Sequence, residues 1–389
     1  MSVTDLTIQG YRSVRRITMP LRQLTVLVGG NGVGKTNLYR GLELLQAAAR
    51  GTLAEDLARE GGLGSVFWAG GRNLSADGGF DPMYRTDGYR KGEANRLALE
   101  ISLEEGETGL PLRYRLEVGF PPKEAAAAFP NEAQVKLESL LLARRKPVAL
   151  MERKDAAIWV RDAEGVREAA DVDVLPSETA LSRLAGVPEV AMLRETLLGW
   201  RFYHGFRTDA DSPLRQPARA VTAPALGASG DNLGAVLATL RFIREDTTDL
   251  DGLIADAFGG ARLDVELGEF IRFGLRYPEM PKRTFLAHEL SDGTLQFLAL
   301  AGALMAYRLP PFIALNEPET SLHPSLLPLL ARMIVGAAGR SQVWVVTHSQ
   351  ELAAAIADLS GVVPRTVIRT DEGTWLEGLS QVGHFPDEL

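Results

Sequence analysis

The chain of 389 residues has 46% hydrophobic content, a net charge of −8 and no cysteine. Its length suits one large or two medium domains, and its composition an ordinary globular core. The missing cysteines exclude disulfides, cysteine–zinc sites and thiol catalysis, and the acidic balance argues against a chain that coats nucleic acid indiscriminately. No apolar run approaches a membrane span, since the most apolar stretch, 295–309, is short and broken by Gln296 and Arg308. Residues 1–10 include Asp5 and no signal-peptide core, so no membrane association is expected and the cytoplasm is the expected location.

The first fifty residues are basic, with seven Lys and Arg against Asp5 and Glu43. Such a lobe on an acidic chain could face the phosphates of DNA, and it fits an ordinary solvated face equally well. Within it, the apolar run Leu24-Thr25-Val26-Leu27-Val28 reads as a buried strand, and Leu38, Leu42 and Leu45 as one face of a helix over 37–46. Between them stands Gly29-Gly30-Asn31-Gly32-Val33-Gly34-Lys35-Thr36, with the spacing G-x-x-x-x-G-K-[ST]. In that pattern backbone N–H groups wrap the β-phosphate, the lysine reaches the β/γ-phosphates and the threonine hydroxyl binds Mg²⁺. The following helix adds unpaired N–H groups and a positive dipole end. ATP and Mg²⁺ are the implied cofactors.

Further on, Leu97, Leu99, Ile101 and Leu103 alternate with other residues, as do Leu112, Tyr114, Leu116 and Val118, which predicts an antiparallel hairpin with one buried face. The stretch 121–147 reads as partly helical and ends in the basic cluster Arg144-Arg145-Lys146, while 149–153 and 157–160 read as a second strand pair. From Asp231 the pattern is helical, with Leu233, Val236, Leu237 and Leu240 on one face, and 262–277 holds two candidate strands. Leu290-Ser291-Asp292-Gly293-Thr294 opens another helical run, where Ser291 or Asp292 can cap the helix or the open N–H groups can bind an anion. Two buried strands follow, 312–315 ending in Asn316-Glu317-Pro318-Glu319 and 343–346 ending in Thr347-His348, each before a helix candidate, an alternation that predicts parallel strands under helices. The acidic tail, 371–389, is expected at an edge.

The order of these motifs resembles the ABC-type ATPase heads of the RecF, SMC and OLD group, in particular their compact predicted AAA family ATPases. Asn31-Gly32-Val33-Gly34-Lys35-Thr36-Asn37-Leu38 resembles that group's phosphate loop, and Ile8-Gln9-Gly10-Tyr11-Arg12-Ser13 its first strand and turn. The resemblance covers both ends of the chain and only loosely the middle, 60–200. It implies an α/β P-loop NTPase fold of two lobes. One, 1–230, would hold the phosphate loop and an antiparallel, strand-rich insertion; the other, 231–389, the helical signature region, the acidic strand end and the switch histidine, the two making one head with a mixed sheet.

The resemblance also implies roles. Gly29, Asn31, Gly32, Gly34, Lys35, Thr36 and Asn37 would hold nucleotide, Thr36 and Asn316 the magnesium, Glu317 the attacking water as general base, and His348 the γ-phosphate. Ser291 and Gly293 would act in trans, so that a homodimer closes on ATP. Several features depart from the group. Asn316 replaces the usual magnesium-side aspartate, which fits a slow ATPase or a nucleotide-gated switch, and His323 stands where transporter-type heads carry an aspartate. No glutamine occurs between Gln46 and Gln134, leaving Ser65-Val66-Phe67-Trp68-Ala69-Gly70 in the place of the Q-loop. A nuclease domain and a coiled-coil arm with a zinc hook are both absent from the pattern. What the cycle drives stays open between DNA repair or maintenance, on the basic lobe and family analogy, and a regulatory ATPase of antiviral defence that works with a separate effector protein.

Overall fold

The computed structural model describes residues 1–68, 96–104, 109, 111–122, 129–161, 165–243 and 248–388. The chain divides into two compact units that interleave along the sequence. One comprises 1–22, 29–199 and 366–389, the other 23–28 and 200–365.

The first unit is built on antiparallel strands. Leu97–Glu104 and Leu112–Gly119 pair as the alternation predicts, with Leu99 opposite Leu116 and Ile101 opposite Tyr114. Ser2–Tyr11 pairs with Leu97–Glu104 on one side and Val14–Pro20 on the other. Beyond the hairpin, Gln134–Leu142, Val148–Lys154, Ala157–Arg161 and Arg167–Ala169 continue the order. The even-spaced apolar residues are buried together, among them Leu6, Ile8, Leu99, Ile101, Tyr114 and Leu116. The helix Lys35–Arg50 lies against this face so closely that a Cβ on Gly41 would overlap the Ile8 side chain.

Two expectations are corrected here. The segment 134–142 is a strand, not a helix: its leucine-rich Leu137 to Leu142 favours helix locally, but pairing on both edges and a buried face override that preference. In the rest of the stretch expected to be partly helical, 121–133 and 143–147, the described residues hold no helix, and 123–128 lie outside the described residues. The start of the tail is not at an edge either, because Gly373–Leu376 pairs with Arg365–Thr370 on one side and meets Val14 on the other.

The second unit carries four parallel strands in the order Arg201–Tyr203, Phe312–Asn316, Gln342–Thr347, Leu24–Val28. The last three are almost wholly buried, which explains their continuous apolar runs. Alternate residues (Leu24, Val26 and Val28; Ile313 and Leu315; Val343 and Val345) join one core with the helices Leu233–Ile243, Asp292–Met305, Leu327–Ala338 and Gln350–Ser360. A small antiparallel sheet of Arg262–Glu266, Phe270–Arg276, Ala218–Arg219 and Phe285–Leu286 completes the unit. Among the described residues no helix is long and apolar enough to cross a membrane.

Candidate nucleotide site

The phosphate loop follows Leu24–Val28 directly and opens the helix Lys35–Arg50, as its mechanism needs. That helix begins without a side-chain cap and without an acidic residue in its first turn, so its free N–H groups and dipole stay available to an anion. Gly30, Asn31, Gly32 and Thr36 are exposed, whereas Lys35 is buried. The lysine ammonium donates to the Gly29 carbonyl at 2.6 Å and the Gly30 carbonyl at 2.8 Å, which satisfies a buried cation inside its own loop.

Gly34 shows why this position admits only glycine. Its φ is 102°, and an added Cβ would overlap the Thr374 hydroxyl and stand 2.6 Å from that of Ser13. Those two hydroxyls bond each other at 2.6 Å, Thr374 donates to the Val33 carbonyl at 2.9 Å, and the Asn37 amide donates to Ser13 at 2.6 Å. The tail therefore braces the loop, a role that sequence reading missed because nothing local marks Thr374.

In the second unit, Asn316 and Glu317 end one buried strand and His348 follows its neighbour, with Asn316 in register opposite Val346. Glu317 donates its N–H to the Val346 carbonyl at 2.7 Å and then turns with a φ of 49°, rare for a residue that is not glycine. The His348 Nδ1 lies 3.8 Å from Glu317 Oε2 and 3.1 Å from Glu319 Oε1, and the rings and carboxylate of the first pair are partly exposed. A partly exposed acid and imidazole at the ends of adjacent parallel strands can together position a water and a phosphate.

Magnesium fits the donors present. Asn316 Oδ1 is buried without a hydrogen-bond partner, and a hydrated cation can supply the missing donor to such an oxygen. Among the described residues no group of three or more His, Cys, Asp or Glu side chains is placed to hold a metal ion by itself.

Ser291 caps the helix Asp292–Met305, its hydroxyl accepting from Thr294 N–H at 3.3 Å. Gly293 is demanded by close approach, since a Cβ would stand 2.8 Å from the Ser321 carbonyl in the loop after Glu317. The signature turn is held from behind by Arg215, which sequence reading also missed. Its guanidinium donates to Asp292 Oδ1 at 2.7 Å and to the carbonyls of Leu290, His288 and Ala287 at 2.8, 3.1 and 3.3 Å. His323 caps a short turn, its Nδ1 accepting from Ser325 N–H at 3.3 Å. In the expected place of the Q-loop, Phe67 bridges Tyr11 and Trp68 donates its N–H to the Gly10 carbonyl at 3.0 Å; Ala69 and Gly70 lie outside the described residues.

The strand–loop–helix order around Lys35 is that of a P-loop NTPase, and the fold is that of an SMC head. The family described as "AAA domain, putative AbiEii toxin, Type IV TA system" matches residues 24–354, and the chain belongs to that family. An SMC head solved bound to the C-winged helix domain of ScpA is similar over 98% of this chain and 99% of its own, at 14% identity and a TM-score of 0.56. The Smc head domain with an extended coiled coil, bound to the C-terminal domain of ScpA derived from Pyrococcus furiosus, matches over 97% and 96% at 13% identity and a TM-score of 0.52. No curated protein matches the chain.

Proposed function

We propose that the chain binds and hydrolyses ATP with Mg²⁺ and works as an ATP-sandwiched homodimer. The observation that carries this reading is the partly exposed Glu317–His348 pair at adjacent strand ends in a chain that also holds a complete phosphate loop. Lys35 and the 29–34 backbone bind phosphates, Glu317 takes a proton from water, and His348 contacts the γ-phosphate. Thr36 and the Asn316 amide oxygen would hold magnesium, and the ion would supply positive charge to the transferring phosphoryl group. Ser291 and Gly293, at the start of a 14-residue helix, read the γ-phosphate of the second subunit. Purified protein should hydrolyse ATP slowly, Lys35→Ala should abolish this, and Glu317→Gln should slow it about 10²–10⁴-fold. Unchanged turnover in a folded Lys35→Ala protein contradicts the reading.

For the task that the cycle drives, we favour regulation of a separate effector protein. The family's description names toxin–antitoxin systems, and the SMC heads were solved with a partner's domain. The basic excess of the first fifty residues is offset in the fold: Arg12 and Arg40 pair with Glu60, and Arg15 with Glu372. A DNA-associated role in repair or maintenance keeps one support, the exposed Arg144, Arg145 and Lys146. Binding to DNA that falls steeply with salt, and falls again on Arg144→Glu/Arg145→Glu, would favour that second role; binding that is absent at low salt excludes it.

A further inference from the structure

Glu319 lies two residues beyond the candidate base, is buried, and accepts three hydrogen bonds on one oxygen, which also meets the His348 ring. Its Oε1 accepts from the Thr347 hydroxyl at 2.5 Å and from the N–H groups of His348 and Ser349 at 3.0 and 3.2 Å, with His348 Nδ1 at 3.1 Å. Ser349 in turn donates its N–H to Thr347 Oγ1 at 2.9 Å and caps the helix Gln350–Ser360 by accepting from Leu352 N–H at 3.1 Å. The residues on both sides of His348 are thus fixed through one carboxylate. The ring turns Nδ1 to that carboxylate, which leaves Nε2 as the nitrogen for a ligand.

The segment that delivers Glu319 is unusual as backbone. Glu317 has a φ of 49° although Pro318 follows it, and Ser321 has a φ of 68°. Strain of this kind persists where surrounding contacts over-determine it. The contacts here run from Glu319 to His348, so the acid loop and the histidine are one mechanical piece. A carboxylate recruited only to hold the fold would be expected to satisfy both oxygens, yet Glu319 Oε2 is buried without a donor.

We propose that Glu319 is a positioning residue for ATP hydrolysis, acting through His348 and keeping its ring in register with Glu317. This rests on the reading of Glu317 and His348 as the hydrolytic pair. The test is a double-mutant cycle in the full chain, with steady-state ATP turnover and with affinity for a fluorescent ATP analogue in Mg²⁺. Glu319→Ala should lower kcat at least about tenfold while the nucleotide Kd stays within about threefold, because phosphate binding rests on Lys35 and its loop. Glu319→Gln, whose amide oxygen can accept the same backbone N–H groups, should recover most of that loss. Adding Glu319→Ala to His348→Ala should slow turnover no further, the signature of residues acting as a unit. Should Glu319→Ala not fold, Glu319→Asp keeps the charge, withdraws it by one methylene and carries the same cycle. Losses that multiply in the double variant, wild-type kcat in the single one, or a Kd change that accounts for the whole effect overturns the proposal. Failure of the underlying reading looks different, because Glu317→Gln and His348→Ala would then both turn over ATP at the wild-type rate.

Discussion

Two buried glutamates, one in each unit, bind backbone N–H groups at the start of a helix and end in opposite states. Glu138, fully buried in the antiparallel sheet, accepts from Tyr114 hydroxyl at 2.9 Å and Leu181 N–H at 2.8 Å on one oxygen, and from Ala180 N–H at 2.6 Å on the other. Glu319 crowds its donors onto one oxygen and leaves the other bare. The first network is closed, with nearby Arg153 donating to the carbonyls of Asp155 and Leu175 at 2.8 and 3.1 Å. The second has unfilled capacity beside a partly exposed imidazole. Both oxygens of the first acid are satisfied within the chain, whereas the second keeps one oxygen able to take a further donor.

The contrast can be broken by stability measurements. Glu138→Ala strips three buried donors of their acceptor and should destabilise the protein by about 3 kcal/mol or more, read as a fall in thermal midpoint with ATP turnover per folded molecule unchanged. Glu319→Ala should cost less, about 1–2 kcal/mol, because the buried Thr347 hydroxyl loses its acceptor while His348 and Ser349 are partly exposed to water. Equal losses would erase the distinction between the two sites.

A pH series sharpens it. Burial holds the Glu138 carboxyl above the usual range, against the pull of its hydrogen bonds. A folded value above the unfolded one means that its stabilising contribution is complete below the unfolded pKa and is lost as pH rises through the folded one. The stability of wild type relative to Glu138→Gln should therefore grow as pH is lowered from neutral toward 5. A gap that is flat with pH contradicts the assignment.

A further effect, smaller than that of Glu138→Ala, is expected at Arg215. Arg215→Ala releases the carbonyls of Ala287, His288 and Leu290 and should cost about 1–2 kcal/mol locally. The change should appear as faster amide exchange at 286–294 and weaker ATP-dependent association, with nucleotide binding by each chain retained. Unchanged exchange there would show that the signature turn needs no brace.

What the sequence made legible was whatever is encoded within a few residues. The strand–loop–helix at 24–46, the hairpin of alternating residues around Leu99 and Leu116, and the buried runs before Glu317 and His348 all carry their own periodicity or spacing. Glu319 was visible in its motif, but its partner is 29 residues away, so its attachment to His348 was not. Ser13 and Thr374 meet across 361 residues with no pattern at either end. Within the stretch expected to be partly helical, 121–147, residues 134–142 form a strand because pairing with two neighbouring strands outweighs local preference.

The central claim, an ATP-sandwiched dimer with Glu317 as base, is tested most directly by light scattering of Glu317→Gln with ATP and Mg²⁺. The side chain keeps its shape but cannot take a proton from water, so bound ATP should persist and hold two chains together. The account predicts a dimer with nucleotide, weaker association without it, and a return to monomers when Ser291→Arg is added while Lys35 still binds nucleotide. A monomer with ATP demonstrably bound would contradict the sandwich, and a dimer indifferent to Ser291→Arg would put the interface elsewhere.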